Sequence, residues 1–348
     1  MSKIKKKKMK TKVKVILVLT IIISIFGLGY LGINAFVDNT LNKTERTEKI
    51  KVEDAGISEE VQKSKKATKV VNIALFGTDN DGNYSDTDRS DAIKVISLNF
   101  DDKVINITSI QRDTLVYMPD PHNDWSKLNH AYWFGGPTLA IKTINTNFDL
   151  DITKYATFSF KASEKLVDLV GGVNIDLKGQ EILQRDKPLG IYGEEGVYTL
   201  NGKQAMNYSR IRYIDDDFYR MERQNKVIKE IVRKLKTKSP LEILDIVNEM
   251  LPYVETNITN NEIKTYLTSL LSFDLNNITQ NSIPSDGVAS SEVISYQGYG
   301  PIYVPKNFEK LVKEVHLHIY NDDDYQVSST LLELEKKTYE YFGFTKQE

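Results

Sequence analysis

Residues 70–114 read VVNIALFGTDNDGNYSDTDRSDAIKVISLNFDDKVINITSIQRDT and decide the fold. The apolar runs in this stretch are short and rich in β-branched residues, which is typical of buried strands. We therefore predict a strand over Val70 to Phe76 and two further strands that close on Gln111 to Thr114. The loop after the first strand carries five aspartates. A loop held rigidly between strands can bind a cation through such carboxylates.

The rest of the chain alternates between helical and strand patterns. Strand patterns cover Tyr155 to Phe160 and Val173 to Leu177, and helical patterns cover Lys127 to Phe148, Ala162 to Val170 and Asp217 to Lys236. This alternation predicts an α/β fold, a layered α/β/α domain with a central mixed sheet. We place the catalytic core at residues 70–237 and a C-terminal helical and strand extension at residues 238–348.

The N-terminal segment predicts a membrane anchor. Residues 1–14 carry eight lysines and no acid, and the 23 residues 15–37 carry no charge. A helix of that length spans about 34 Å, enough for a bilayer core of about 30 Å. We predict a cytoplasmic tail (1–14), a transmembrane helix (15–37), a juxtamembrane linker (38–69) and an extracellular remainder, because clustered lysines stay inside. A cleaved signal peptide is the alternative, but the apolar run is too long for one.

Composition excludes several classes of protein. The net charge is −2, and without the eight N-terminal lysines the chain has 38 basic against 48 acidic residues. An acidic body is a poor binder of nucleic acid. The chain has no cysteine, so no disulfide stabilises it. Its four histidines show no metal-ligand spacing, and no Walker loop, dinucleotide-binding glycine pattern or Ser-His-Asp motif is visible.

Acids in the loop after the first strand suggest a metal site. Asp79 follows the strand, and Arg89 and Asp91 are two residues apart, so they share a face of an extended chain. One phosphate could then contact Arg89 directly and Asp91 through a metal. An EF-hand is excluded because its sixth position lacks glycine and its twelfth is Ser90. A solvated acidic turn remains an alternative.

Arginines supply the matching cations. Arg112 ends an apolar strand and needs an anionic partner, which we do not expect to be Asp113, because adjacent strand residues point to opposite faces. A surface ion pair with another acid is the alternative. Phosphoryl transfer requires such cations together with a metal.

A second group of arginines lies near the start of the helix that begins at Asp217. Helical spacing places Arg220 and Gln224 on its buried stripe, where an arginine at a helix N-terminus favours an anion. Arg210 and Arg212 share one face of an extended segment. Pairing of these arginines with Asp215 to Asp217 in a surface cluster is the alternative.

Five ordered motifs resemble the LytR-CpsA-Psr family of bacterial cell-envelope proteins. They are Leu75 to Asp79, Asp88 to Ala92, Ser109 to Thr114, Lys127 to Tyr132 and Arg210 to Gln224. The resemblance implies a hydrophobic pocket for a polyprenyl lipid. It also implies transfer of a phosphoglycan, such as a teichoic acid or a capsular polysaccharide, from a polyprenyl-pyrophosphate carrier to peptidoglycan.

The resemblance also implies roles for individual residues. Asp79 and Asp91 would hold Mg²⁺, and Arg89, Arg112, Arg210 and Arg220 would contact the pyrophosphate as catalytic groups. Asp217 would be a further catalytic residue, and Arg212 and Gln224 further substrate contacts. Gln111 and Ala92 depart from the family pattern, which has proline and threonine there. The alternatives are a transcription attenuator and a non-catalytic module that binds polyprenyl phosphate or glycan.

Overall fold

The computed structural model describes residues 45–64, 66–78, 89–215, 217–270, 273, 278–285, 292–298, 300–305 and 307–346. Its strands are β1 (Glu45–Arg46), β2 (Val70–Thr78), β3 (Ser90–Asn99), β4 (Val104–Ile110), β5 (Leu115–Met118), β6 (Asp124–Lys127), β7 (Lys154–Ser159), β8 (Val173–Leu177), β9 (Gly196–Leu200), β10 (Val254–Thr256), β11 (Ile278–Ile283), β12 (Glu292–Ser295) and β13 (Pro301–Val304). Its α-helices are α1 (Glu59–Gln62), α2 (Leu128–Phe148), α3 (Phe160–Leu169), α4 (Gly179–Leu183), α5 (Gly202–Ser209), α6 (Asp217–Leu235), α7 (Pro240–Met250), α8 (Asn260–Leu270), α9 (Phe308–Tyr320) and α10 (Ser329–Phe342).

Seven strands form the central sheet in the order β1-β10-β7-β2-β3-β4-β11. The sheet is mixed, as predicted. Strand β2 runs parallel to β7 and antiparallel to β3, and β4 runs parallel to β11. Strand β2 alternates between buried and half-buried side chains along its whole length, because a central strand packs on both faces. The predicted first strand is therefore the middle of the sheet.

Helices cover both faces of the sheet. Phe76, Ile93 and Val95 pack on α2 and α9 in one layer. On the other face, Ile96 and Leu98 pack with α6 and α8. Full burial of each large apolar side chain contributes roughly 1.5–3 kcal/mol, so the two layers stabilise the central strands of the sheet. The predicted α/β/α layering is confirmed.

Segments outside the predicted core also contribute to this domain. From the C-terminal region, β10 and β11 lie at opposite sides of the central sheet. From the segment predicted as a linker, Val61 and Ala67 are buried in the same apolar cluster as α2. Residues 44–348 accordingly form one compact unit.

The predicted transmembrane segment, residues 15–37, lies outside the described residues. Within the described part of the chain, every helix is too short or too polar to cross a bilayer.

Candidate active site

A cavity of about 410 Å³ lies between the sheet and helices α3, α5 and α6. Its polarity changes along α6: Arg220 and Gln224 line it in the first two turns, and Val227, Ile228 and Ile231 follow. The helical spacing in the sequence predicts this stripe. Because the polar and apolar ends of one cavity lie on one helix, it suits a ligand with an anionic head and a hydrocarbon tail.

Strand β3 contributes Asp91 through an irregularity in its pairing. Gly77 pairs with Ala92 and Thr78 pairs with Ser90, so Asp91 is an extra residue on β3. A β-bulge of this kind changes the direction of a side chain next to a functional site. Asp91 therefore lines the cavity together with Ala92, its neighbour in the chain.

Arg112 contacts Asp91 directly. Its Nη1 donates to Oδ1 of Asp91 at 2.6 Å, and both side chains are largely buried. The expectation that Asp113 cannot be a partner was wrong: Nε of Arg112 also donates to Oδ2 of Asp113 at 3.2 Å. Strand β4 ends at Ile110, so Arg112 and Asp113 lie in a turn, where strand alternation does not apply.

Lys127 adds a fourth charged side chain to these ion pairs, and no role was predicted for it from the sequence. Its Nζ contacts Oδ1 of Asp113 at 3.0 Å. Burial raises the pKa of Asp113, but Arg112 and Lys127 outweigh burial, and the pKa lies below its ordinary value. Four side chains of alternating charge thus contact one another in series near the start of β3 and the end of β4: Asp91, Arg112, Asp113 and Lys127. The only signal in the sequence was the position of Lys127 in the fourth motif.

Arg89 lies beside this series rather than in the cavity lining. It is exposed, and its guanidinium carbon lies 4.8 Å from the ring centroid of Trp133 on α2. Stacking on an indole orients the guanidinium while leaving its N–H groups available. Next to Trp133, burial and the charge of Arg89 lower the pKa of His130 to about 4, so this histidine is neutral at pH 7.

Arg210 and Arg212 line the cavity from the segment after α5. The Arg210 guanidinium carbon lies 4.3 Å from the ring centroid of Phe160, and Arg212 is exposed. Tyr213 follows with a φ of 67°, a left-handed conformation that is uncommon for a tyrosine. This backbone turns the chain back toward α6 at the cavity edge.

Arg223, which the sequence analysis did not single out, ties this segment to α6. Nη1 and Nη2 of Arg223 donate to the two carboxylate oxygens of Asp215, each at 2.6 Å. Nη2 also donates to the carbonyl oxygen of Ile211 at 3.0 Å. In the alternative of a surface cluster, Asp215 would pair with Arg210 or Arg212. Its described partner is instead the buried Arg223, and Arg210 and Arg212 line the cavity. Asp216 and the side chain of Asp217 lie outside the described residues.

Arg220 is buried, with 3% of its surface exposed, and it shares the cavity lining with Lys94 of β3. Lys94 was also missed by the sequence analysis. The signal was present: alternate residues Ala92, Lys94, Ile96 and Leu98 form one face of β3, and Lys94 is the only charged residue among these four.

Two predicted site residues cannot be placed. Asp79 and the side chain of Asp217 lie outside what the structure describes. Among the described residues, no three acids or histidines converge as metal ligands. Asp91 nevertheless suits Mg²⁺, which commonly takes one or two carboxylates and completes its shell with phosphate oxygens and water. Its Oδ1 is engaged by Arg112, and its carboxylate borders the cavity.

The fold and the cavity define an α/β protein built to bind an amphiphilic anion. The chain belongs to the LytR_cpsA_psr family, which it matches over residues 31–310.

Individual relatives agree with this assignment. The polyisoprenyl-teichoic acid–peptidoglycan teichoic acid transferase TagT of Bacillus subtilis (strain 168) is 28% identical over 270 residues, 76% of this chain and 79% of that protein. The corresponding transferase TagU of Bacillus anthracis is 30% identical over 292 residues, 81% of this chain and 89% of that protein. The solved structure of YwtF (TagT) with bound octaprenyl pyrophosphate lipid shares the fold, with a TM-score of 0.56, 20% identity, and coverage of 78% of this chain and 99% of that chain.

Proposed function

We propose that this protein is a membrane-anchored extracellular phosphotransferase. It moves a phosphoglycan, such as a teichoic acid or a capsular or wall polysaccharide, from a polyprenyl-pyrophosphate carrier to peptidoglycan. Family membership and the names of the two transferases support the reaction. The observation that carries the proposal is the cavity that changes along α6 from arginine and glutamine to aliphatic side chains.

The carrier fits this cavity in one orientation. The prenyl chain lies along Val227, Ile228 and Ile231, where its burial removes apolar surface from water. The pyrophosphate lies among the arginines at the other end, since guanidinium groups match the geometry of phosphate oxygens. The glycan then extends outward past the exposed Arg212.

In the reaction, an acceptor hydroxyl oxygen bonds to the phosphorus that carries the glycan. The P–O bond to the bridging oxygen breaks, prenyl phosphate leaves with the electron pair, and the hydroxyl proton passes to a base. Negative charge spreads over the phosphoryl oxygens in the transition state. Arg220, Arg210 and Arg212 border the space where this charge develops, and Arg112 holds the carboxylate of Asp91 beside it.

Asp91 and Asp79 would hold a magnesium ion. When bound, this ion would neutralise negative charge on the pyrophosphate. The ion pair with Arg112 is compatible with this role, because it engages one oxygen of Asp91 and orients the carboxylate.

Transfer of a labelled glycan from its polyprenyl-pyrophosphate carrier to isolated peptidoglycan tests the proposal. The full-length protein in detergent micelles is compared with Arg220→Met and with Arg233→Met, a matched change on the exposed part of the same helix. We expect Arg220→Met to lower transfer at least about 100-fold, as loss of a transition-state contact does, and Arg233→Met to retain it. Absence of transfer by the unsubstituted protein, or full activity of Arg220→Met, would overturn the proposal.

A further inference from the structure

Lys94 occupies a position that apolar packing alone does not explain. It lies on the face of β3 whose next two members, Ile96 and Leu98, pack in the apolar layer against α6 and α8. Only 3% of Lys94 is exposed, and the side chain lines the cavity. A buried lysine is costly unless an anion or a set of acceptors compensates its charge.

The described partners of Lys94 are neutral. Its Nζ donates to Oγ of Ser109 at 2.7 Å and to Oδ1 of Asn225 at 2.8 Å. Arg220, another cation, acts on it electrostatically. Burial, followed by the charge of Arg220, lowers the pKa of Lys94 to about 7. A buried lysine whose described partners are neutral favours an anionic ligand in the cavity that it lines together with Arg220.

The position of Lys94 along the cavity indicates which kind of anion it would bind. Asn225, which it contacts, comes one residue after Gln224 and two residues before Val227 on α6. Lys94 therefore lies where the polar lining of the cavity meets the apolar lining. In an amphiphilic diphosphate, the group at that boundary is the phosphate that carries the hydrocarbon chain.

We propose that Lys94 is a phosphate-binding residue that, together with Arg220, holds the prenyl-bearing phosphate of the carrier at the boundary between the polar and apolar parts of the cavity. This inference rests on the proposed function. It extends the site to the part of the carrier that leaves as prenyl phosphate, where a cation stabilises the charge of the leaving group. It also predicts that the protein retains prenyl monophosphate after transfer.

Binding of three probes to the full-length protein tests this proposal. The probes are geranylgeranyl diphosphate, geranylgeranyl monophosphate and geranylgeraniol, which share one hydrocarbon chain and carry two, one and no phosphate groups. Lys94→Met removes the charge at nearly constant volume, and Lys226→Met makes the same change at an exposed position on α6. We expect Lys94→Met to weaken binding of both phosphates about tenfold or more, as loss of a charge-assisted hydrogen bond does, and to leave binding of the alcohol unchanged. Lys226→Met should bind all three probes like the unsubstituted protein.

Asn225→Asp provides a second variant that keeps Lys94. It places a carboxylate where Lys94 now contacts an amide oxygen, so it should compensate the lysine charge and weaken binding of both phosphates. Unchanged phosphate binding by either variant overturns the role of Lys94 and leaves the proposed function standing. If Lys94→Met binds the phosphates and the alcohol equally weakly and also unfolds at a lower temperature, the role of Lys94 is purely structural. Failure of the unsubstituted protein to bind any probe overturns the proposed function itself.

Discussion

Arg223 and Asp215 form a two-bond ion pair in which the two terminal guanidinium nitrogens each donate to a carboxylate oxygen at 2.6 Å. Arg223 lies on α6 with 3% of its side chain exposed, and Asp215 belongs to the segment that carries Arg210 and Arg212. The pair thus fixes two groups of cavity arginines relative to each other. Arg223 is a positioning residue, since the cavity lining does not include it.

Replacement of Arg223 by lysine tests this role. A lysine keeps the charge but cannot reproduce the planar two-bond contact. We expect a loss of about 1–3 kcal/mol in the free energy of unfolding, measured in urea. We also expect the rate of transfer to fall more than the affinity for the carrier. Arg233→Lys, an exposed change on the same helix, should alter neither quantity. A stable Arg223→Lys protein with full transfer activity would contradict the positioning role.

Magnesium dependence tests the role assigned to Asp91. Chelation by EDTA should abolish transfer, and added Mg²⁺ should restore it. Asp91→Asn retains a contact with Arg112 but loses the negative charge that attracts the metal, so restoration should require at least about tenfold more Mg²⁺. Identical magnesium titrations for both proteins would show that Asp91 is not a metal ligand.

Filling the apolar end of the cavity tests the site of the prenyl chain. Val232 lines the cavity, and Val232→Phe reduces its volume without changing the charged groups. We expect affinity for a long prenyl diphosphate to fall about tenfold, while inorganic pyrophosphate binds as before, because only the hydrocarbon loses space. Val197→Phe, the same change at an exposed position, is the control. Equal affinity for the long carrier in both variants would place the chain elsewhere.

Lys94 should give the ligand-free protein a distinctive dependence of stability on pH. Its pKa is about 7 when folded and about 10.5 when unfolded. Between these values the unfolded chain binds a proton that the folded chain has lost, so the free energy of unfolding rises with pH. Below pH 7 both states are protonated, and the contribution of Lys94 is constant and unfavourable. Arg220, the charge that faces it, stays protonated throughout.

Urea unfolding of the unsubstituted protein and Lys94→Met from pH 6 to pH 10 checks this prediction. The free energy of unfolding of Lys94→Met should exceed that of the unsubstituted protein by the largest amount near pH 6. This difference should shrink by about 1 kcal/mol per pH unit above pH 7. A constant difference between the two proteins would show that Lys94 keeps its proton in the folded state.

Protease treatment of intact cells tests the predicted topology. The eight lysines before residue 15 favour a cytoplasmic N-terminus, so a protease outside the cell should degrade residues 38–348 and spare a tag placed before residue 1. Cells lysed before treatment should lose the tag as well. Protection of residues 38–348 in intact cells would contradict the extracellular location and would favour the regulator alternative.

The sequence by itself determined the local structure and its pattern of burial. It predicted β2, β8 and α6 within a residue or two of their observed bounds, because strands and helices repeat with periods that a short window reveals. The inward direction of Arg220 follows from the same periodicity, since it shares a stripe with Ile228 and Ile231. The kink in α2 at Gly135 and Gly136 coincides with a Gly-Gly-Pro sequence, and both residue types interrupt helices.

The tertiary structure decided which of these side chains meet. Asp91 reaches the cavity through a bulge in the β2–β3 pairing, and Arg112 bonds to both Asp91 and Asp113 because a turn replaces the end of a strand. In the sequence, Lys94 is only a charged residue within a mainly apolar strand pattern. Its role emerges only when α6 places Asn225 and Arg220 beside it. Lys94 and these two residues of α6 are more than 100 positions apart in the chain, and a local repeat carries no information about such contacts.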